Sequence, residues 1–193
     1  MLGLNSLIAN FMSFLPKWFV RPFAKSYVAG ETMVEALDTV QQLNADGYAV
    51  TLDILGEHVG SQDEAQEVQE EYSILIKQIA ERGLDSTISV KLTHLGLELE
   101  DQLGVENIMA LARDGKVYNV GITIDMENSP YTTRTFELYK KALSFHDKMG
   151  CVIQAYLYRS LNDINQLESP LLNLRICKGI YICLLYTSDA ADD

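Results

Sequence analysis

The chain has 193 residues, of which 48% are hydrophobic, and its 15 basic and 27 acidic side chains give a net charge of −12. This length and hydrophobic fraction suffice for one sizeable core and argue against a disordered chain. A strongly acidic chain is not expected to bind nucleic acid. Three cysteines without a CxxC pair, and three histidines far apart in sequence, predict a reducing, cytoplasmic location and no metal site.

Residues 1–47 are predicted to form helices that precede the main domain. Residues 1–28 contain no acidic side chain, and apolar residues recur there at helical spacing as far as Phe19. The basic residues follow the apolar run, which argues against a secretory signal, and Pro16 interrupts the run too early for a membrane-spanning helix. Two interpretations stay open: a helix packed on the domain, or reversible contact of a cytoplasmic protein with the inner membrane surface. A further helix is predicted from Glu31 to Ala45.

From Tyr48 onward, strand patterns alternate with helix patterns. Strands, recognised by a period of two, are predicted at 48–55, 87–92, 118–124, 151–157 and 173–178. Helices are predicted at 61–83, as a short segment around 105–112, at 130–146 and at 161–167. Ser61 and Glu64 have the spacing of a capping box at the start of the first of these helices. This order predicts a parallel sheet with helices outside it.

Two architectures fit the order of elements: an open doubly wound sheet, or part of a (β/α)8 barrel. Strands of open parallel sheets are usually apolar on both faces. Here one face repeatedly carries polar or small residues: Thr51, Asp53, Ser89, Lys91, Thr123, Asp125, Gln154, Arg175 and Cys177. No GxGxxG motif follows a strand. We therefore predict an α/β fold, an incomplete (β/α)8 TIM-type barrel of about five β/α units over residues 48–182.

Four side chains at or near the ends of these strands could bind a ligand or take part in catalysis. Lys91 offers a cation, Asp125 a carboxylate, Gln154 an amide that can recognise a heterocycle edge, and Arg175 a fixed positive fork. The carboxyl ends of barrel strands meet at the face where ligands bind. The same side chains can also form a purely structural network of ion pairs, and this interpretation stays open.

Several sequence blocks resemble bacterial proline dehydrogenases. They are SVKLTHLGLEL around Lys91, GITIDMENSPYT around Asp125, IQAYL around Gln154, LRICKGIY around Arg175, and TLDILGEHV. Their order and spacing are consistent from about residue 29 to residue 181. The resemblance implies a distorted (β/α)8 barrel that holds FAD without a Rossmann domain. It also implies oxidation of L-proline to Δ1-pyrroline-5-carboxylate, the first step of proline catabolism, with electrons passed to a membrane quinone.

The resemblance also assigns roles to residues. Asp125 and Arg175 match catalytic residues, and Lys91 matches a lysine that contacts the substrate. The positions that match flavin contacts are Met126, Gln154, Lys178, Gly179 and Ile180. Ile180 stands where the family usually has alanine, which crowds that turn.

The family's last helix, with a tyrosine and paired arginines for the proline carboxylate, has no counterpart here. Residues 183–193 depart from the family pattern and are predicted to be a non-native tail, so the chain is expected to be an inactive N-terminal fragment. Two other functions stay open. One is a barrel lyase in which Lys91 forms a Schiff base with a carbonyl substrate. The other is a non-catalytic interaction protein.

Overall fold

The structure is a computed structural model, and it describes residues 28–167 and 170–179. The amphipathic helix predicted in residues 1–28, the candidate flavin contact Ile180 and the predicted tail at 183–193 lie outside these residues, apart from Val28 itself. Contacts divide the chain into two compact units, between Gly47 and Tyr48. The domain bounds predicted from the sequence stay a prediction.

The described part of the first unit contains one helix, α1 (Met33–Ala45). It begins at a capping box. The Thr32 hydroxyl accepts from the Glu35 N–H at 3.3 Å, and the Glu35 carboxylate accepts from the Thr32 N–H at 3.3 Å. These bonds satisfy donors that the first helical turn leaves unpaired. Leu37 and Val40 form the buried positions of this helix.

Within its described residues, the second unit has five parallel strands that alternate with four helices. The strands are β1 (Val50–Asp53), β2 (Ser86–Val90), β3 (Ile122–Ile124), β4 (Met149–Gln154) and β5 (Leu174–Cys177). The helices are α2 (Gln62–Glu81), α3 (Asp101–Tyr118), α4 (Ser129–Leu143) and α5 (Ser160–Gln166). Each strand pairs with the next one along the chain, in the order β1-β2-β3-β4-β5. The predicted half-barrel of five β/α units is confirmed.

The two faces of the sheet differ as the strand pattern predicted. Aliphatic side chains of β1, β2 and β3 are at most 8% exposed: Leu52, Ile88, Val90, Ile122 and Ile124. Residues between them, such as Thr51 and Thr123, are more exposed and occupy the other face. Since successive side chains of a strand point to opposite faces, the apolar set faces the helices and the polar set faces the interior of the half-barrel.

The predicted short third helix and the start of the third strand were wrong. Tyr118 is the last residue of α3, which has 18 residues. Asn119 caps the helix in the left-handed conformation, with φ of 60°. Asparagine tolerates this conformation and ends helices there. The helix looked short because its buried face includes the non-aliphatic residues Gly104, Asn107 and Gly115.

The Tyr72 hydroxyl connects α2 to β1 and β2. The ring is fully buried. The hydroxyl lies 3.0 Å from both Asp53 Oδ1 and the Ser89 carbonyl oxygen, and it accepts from the Ile54 N–H at 3.1 Å. Burial raises the pKa of Tyr72, so the hydroxyl stays protonated at neutral pH.

We expect Tyr72→Phe to lower the free energy of unfolding by about 1–3 kcal/mol, because it leaves buried polar groups without a partner. Tyr139→Phe is the matched control. Tyr139 is equally buried, but its hydroxyl accepts one weaker bond, from the Asn173 N–H at 3.4 Å. Urea unfolding of both variants measures the difference. Equal losses would contradict the role assigned to the Tyr72 hydroxyl.

Candidate functional site

Two ion pairs lie on the inner face of the half-barrel. Lys91, directly after β2, places its Nζ 3.2 Å from Oδ2 of Asp53 at the end of β1. The Arg175 guanidinium of β5 pairs with the carboxylate of Asp125, directly after β3. The four side chains alternate in sign around one end of the sheet.

The strand register explains how Arg175 reaches Asp125. Arg175 is only the second residue of β5, whereas Asp125 follows the last residue of β3. Val152 of β4 lies level with Arg175, and its neighbour Cys151 lies level with Ile124. Asp125 is therefore in the same row as Val152 and Arg175, and the guanidinium spans β4 to reach it. Such a stagger is required when strands tilt to form a barrel.

Lys91 belongs to the same row. Ser89 is level with Thr123, and the Asp125 N–H donates to the Val90 carbonyl oxygen at 2.8 Å. This bond continues the ladder and sets Asp125 beside Lys91. The register therefore brings the three residues proposed for catalysis and substrate binding into one row.

The two pairs differ in exposure. The Lys91 side chain is 15% exposed and that of Asp53 is 30% exposed. The Arg175 side chain is 48% exposed, whereas that of Asp125 is 18% exposed. A guanidinium has five N–H donors in a planar fork. Among the described residues, Arg175 donates to Asp125, which fixes the direction of the fork and leaves other donors for a ligand.

A second group of polar residues lies just beyond this row. Glu127 is 4% exposed, and its Oε2 accepts from the Thr93 N–H at 3.1 Å. The Thr93 hydroxyl contacts the other carboxyl oxygen of Glu127. Burial raises the pKa of Glu127. The Gln154 side-chain amide donates to the Glu127 carbonyl oxygen at 3.4 Å.

Of the four predicted flavin contacts that the structure describes, two are buried, one is exposed and one, Gly179, is half-buried. Met126 and Gln154 are 6% and 2% exposed. Lys178, which follows β5, is exposed. Gly179 has φ of +117°, and a Cβ added there would lie 1.9 Å from Cε1 of Tyr156. Only glycine fits this position, because the backbone conformation and the Tyr156 ring both exclude a side chain.

Sequence reasoning did not select four residues of this site: Asp53, Tyr72, Thr93 and Glu127. A signal for three of them was present. Asp53 is the last residue of its strand and lies on the inner face, and Asp125 has a similar place because it directly follows its strand. Thr93 and Glu127 each stand two residues after a selected residue, so they continue the same alternation. Tyr72 gave no such signal, because its position in the apolar stripe of α2 is that of an ordinary core residue.

A cavity of about 740 Å³ lies at the opposite end of the strands. It is lined by the loops that precede β2 and β3 and by inner-face residues such as Thr51, Thr87 and Arg175. Lys91, Asp125 and Gln154 do not line it. The candidate site is therefore located by the charged row at the strand ends, not by this cavity.

The family of the chain follows from comparison with known proteins. Residues 36–182 match the family described as proline dehydrogenase. The chain belongs to the proline dehydrogenase family. It is 42% identical over 158 residues to proline dehydrogenase 1 of Bacillus subtilis subsp. natto, an alignment that covers 82% of this chain and 52% of that protein. It is 33% identical over 164 residues to the proline dehydrogenase of Deinococcus radiodurans, covering 82% of this chain and 53% of that protein.

The chain thus spans about half the length of the curated proline dehydrogenases it matches. Solved structures of the larger PutA proteins share its fold. Proline utilization A from Bdellovibrio bacteriovorus, inactivated by N-propargylglycine, superposes with a TM-score of 0.75 at 24% identity, over 83% of this chain and 20% of that one. A Bradyrhizobium japonicum PutA mutant superposes with a TM-score of 0.60 at 22% identity, over 78% and 18%.

Two features are absent from residues 28–167 and 170–179. No helix there is long and apolar enough to cross a membrane. No group of three or more His, Cys, Asp and Glu side chains there is placed to hold a metal ion.

Proposed function

We propose that the full-length protein is an FAD-dependent proline dehydrogenase, which oxidises L-proline to Δ1-pyrroline-5-carboxylate in the first step of proline catabolism. Membership of the proline dehydrogenase family supports the reaction. The observation that carries the proposal is the single row of Lys91, Asp125 and Arg175 that the strand register builds. Charges of both signs at one end of a parallel sheet suit a zwitterionic amino acid.

Lys91 is assigned to the substrate. Its ammonium lies next to Asp53, and its side chain is 15% exposed. The Asp53 carboxylate therefore orients the ammonium, which a substrate carboxylate can still reach. In this role, Lys91 binds the proline carboxylate, and Asp53, itself held by the Tyr72 hydroxyl, fixes the position of the lysine ammonium. A charge-assisted hydrogen bond of this kind is stronger than a neutral one.

Residues in β5 and directly after it fit a flavin. When bound, FAD supplies the acceptor for the electron pair removed from the substrate. Arg175 and Lys178 present exposed cations to an anionic group, and Gly179, at positive φ, keeps that turn free of a side chain. Arg175 stabilises negative charge as it develops, and Asp125 orients its guanidinium. The flavin contacts assigned to Met126, Gln154 and Ile180 stay predictions.

We also propose an electron acceptor and a location for the protein. Electrons leave to a membrane quinone, and a cytoplasmic protein would meet it through peripheral contact at the inner membrane. The basic and apolar residues of segment 1–28 support such contact. The two alternatives, a Schiff-base lyase and a non-catalytic interaction protein, are not favoured, because the family and its named relatives are proline dehydrogenases.

The test uses the full-length protein, purified and examined for bound flavin. We expect a flavin absorbance spectrum that bleaches when L-proline is added without oxygen and returns when a soluble quinone is added. Borohydride trapping of carbonyl compounds is the control for the Schiff-base alternative. A colourless protein that is labelled at Lys91 by borohydride would refute the proposed function.

A further inference from the structure

A buried contact joins Glu127 and Thr93. Glu127 follows β3 and Thr93 follows β2, so the contact joins two strand ends. Thr93 approaches the carboxyl group twice: its N–H donates to Oε2 at 3.1 Å, and its hydroxyl contacts Oε1. The carboxyl group is almost completely removed from water, with 4% of the residue exposed.

The hydroxyl of Thr93 has a second partner. Its Oγ lies 3.0 Å from the carbonyl oxygen of Glu57, which follows β1. A hydroxyl carries one proton, and a backbone carbonyl can only accept. If Glu127 were ionised, both partners of the hydroxyl would be acceptors, and one proton could serve only one of them. The other contact would then set two acceptors against each other, in surroundings that are buried at Glu127 and partly buried at the Glu57 carbonyl oxygen.

A protonated Glu127 removes this conflict. The carboxylic acid donates its proton to Thr93 Oγ, and the Thr93 hydroxyl donates to the Glu57 carbonyl oxygen. Oε2 continues to accept from the Thr93 N–H. All three contacts are then hydrogen bonds with a defined direction.

We propose that Glu127 is held as a neutral carboxylic acid and that it is a positioning residue. Its hydrogen bonds join the ends of β1, β2 and β3, which carry Asp53, Lys91 and Asp125. The Gln154 amide, which donates to the Glu127 carbonyl oxygen, extends the connection to β4. The consequence for catalysis rests on the proposed function, whereas the neutral state of Glu127 does not.

Burial favours the neutral form of Glu127, although the nearby cation of Lys91 opposes it. Burial, the largest influence, raises the pKa of Glu127. Bonds from Thr93 and the backbone of Leu92 act in the opposite direction, as does the cation of Lys91. Tyr131 on α4 also interacts with Glu127, and its pKa is raised, mainly by its own burial, so it is uncharged at neutral pH.

Stability should depend on pH accordingly. A glutamate in the unfolded chain titrates near pH 4.3. Because the folded pKa is raised, the folded state binds more protons than the unfolded state above that pH. The contribution of Glu127 to stability is therefore complete below about pH 4.3 and is lost as pH rises through the folded pKa.

The test is Glu127→Gln in the full-length protein. A glutamine amide can donate to Thr93 Oγ and accept from the Thr93 N–H, so it reproduces the neutral acid. Infrared difference spectra, wild type minus variant at pH 7, should show the carbonyl stretch of a protonated carboxylic acid. Exposed Glu106→Gln is the matched control and should show only a carboxylate band. The unfolding free energy of wild type minus that of Glu127→Gln should fall as pH rises above about 4.3.

Proline oxidation tests the positioning role. We expect kcat/KM of Glu127→Gln to stay within about twofold of wild type, and Glu127→Ala to lose about 10–100-fold through misplacement of Lys91 and Asp125. Absence of the acid band, or failure of Glu127→Gln to fold, overturns the neutral state. An acid band together with equal activity of the glutamine and alanine variants overturns the positioning role. If wild type does not oxidise proline, the proposed function fails, and the infrared result still decides the state of Glu127.

Discussion

Arg175→Ala is expected to lower kcat for proline oxidation by about 10²–10³-fold, the usual effect of removing one preorganised charge beside developing charge. The guanidinium is held by Asp125 and half of its side chain is accessible, so it is positioned before the ligand arrives. Its effect on stability should be small, about 0–1 kcal/mol, because partly exposed ion pairs contribute little. Steady-state rates and urea unfolding, measured on the same full-length variant, separate the two effects.

Arg134→Ala is the matched control for this experiment. Arg134 on α4 also forms ion pairs, with Asp101 and Glu137, but it lies on a helix and does not belong to the charged row. We expect no change in kcat and a comparably small change in stability. Turnover like that of wild type in Arg175→Ala would remove Arg175 from the mechanism. Equal losses of rate in both variants would show that any arginine ion pair has this effect.

Lys91→Met is expected to raise KM for proline by about 10–100-fold, with the flavin retained. The change keeps the length of the stem and removes the charge, and a hydrogen bond to a charged group contributes about 1.5–3 kcal/mol. Asp53 loses its cation, but the Tyr72 hydroxyl stays within 3.0 Å of its Oδ1, so the local structure should persist. The measurements are the KM for proline and the flavin content of the purified protein.

Lys77→Met provides the control for this substitution. Lys77 lies on the exposed side of α2 and pairs with Glu81 at 3.7 Å. Both KM and flavin content should equal those of wild type. A Lys91→Met protein that loses its flavin but binds proline with unchanged affinity would show that the assignment of Lys91 to the substrate is wrong.

Strand and helix identities could be predicted from the sequence because they depend on local periods. The apolar stripe predicted for the helix beginning after Ser61 is the buried face of α2: Ala65, Val68, Tyr72, Leu75, Ile76 and Ile79. The alternation of Ile122, Thr123 and Ile124 likewise separates the two faces of β3. Periods of 3.6 and 2 are properties of the backbone of one segment, so they can be read without knowledge of its partners.

Features at element ends were predicted less well, because they depend on contacts outside the periodic pattern. The capping box predicted at Ser61 is only half present. The Ser61 hydroxyl accepts from the Glu64 N–H at 3.2 Å, but the Glu64 carboxylate accepts from the Gly60 N–H instead of that of Ser61. The proton on Glu127 is a similar case. It depends on Thr93 and the Glu57 carbonyl oxygen meeting in space, although they are 36 residues apart in sequence.

The sequence by itself determined which charged residues share the inner face, but not which of them meet. Its alternation placed Asp53, Lys91, Asp125 and Arg175 on one face, without indicating which acid pairs with which cation. In the tertiary structure Asp125 pairs with Arg175, which the stagger of β4 and β5 brings level with it. Lys91 is also level with Asp125, but it pairs with Asp53. Register is set by packing between segments that are distant along the chain, and a slip of one residue would reverse the faces of a strand. No local pattern contains that information.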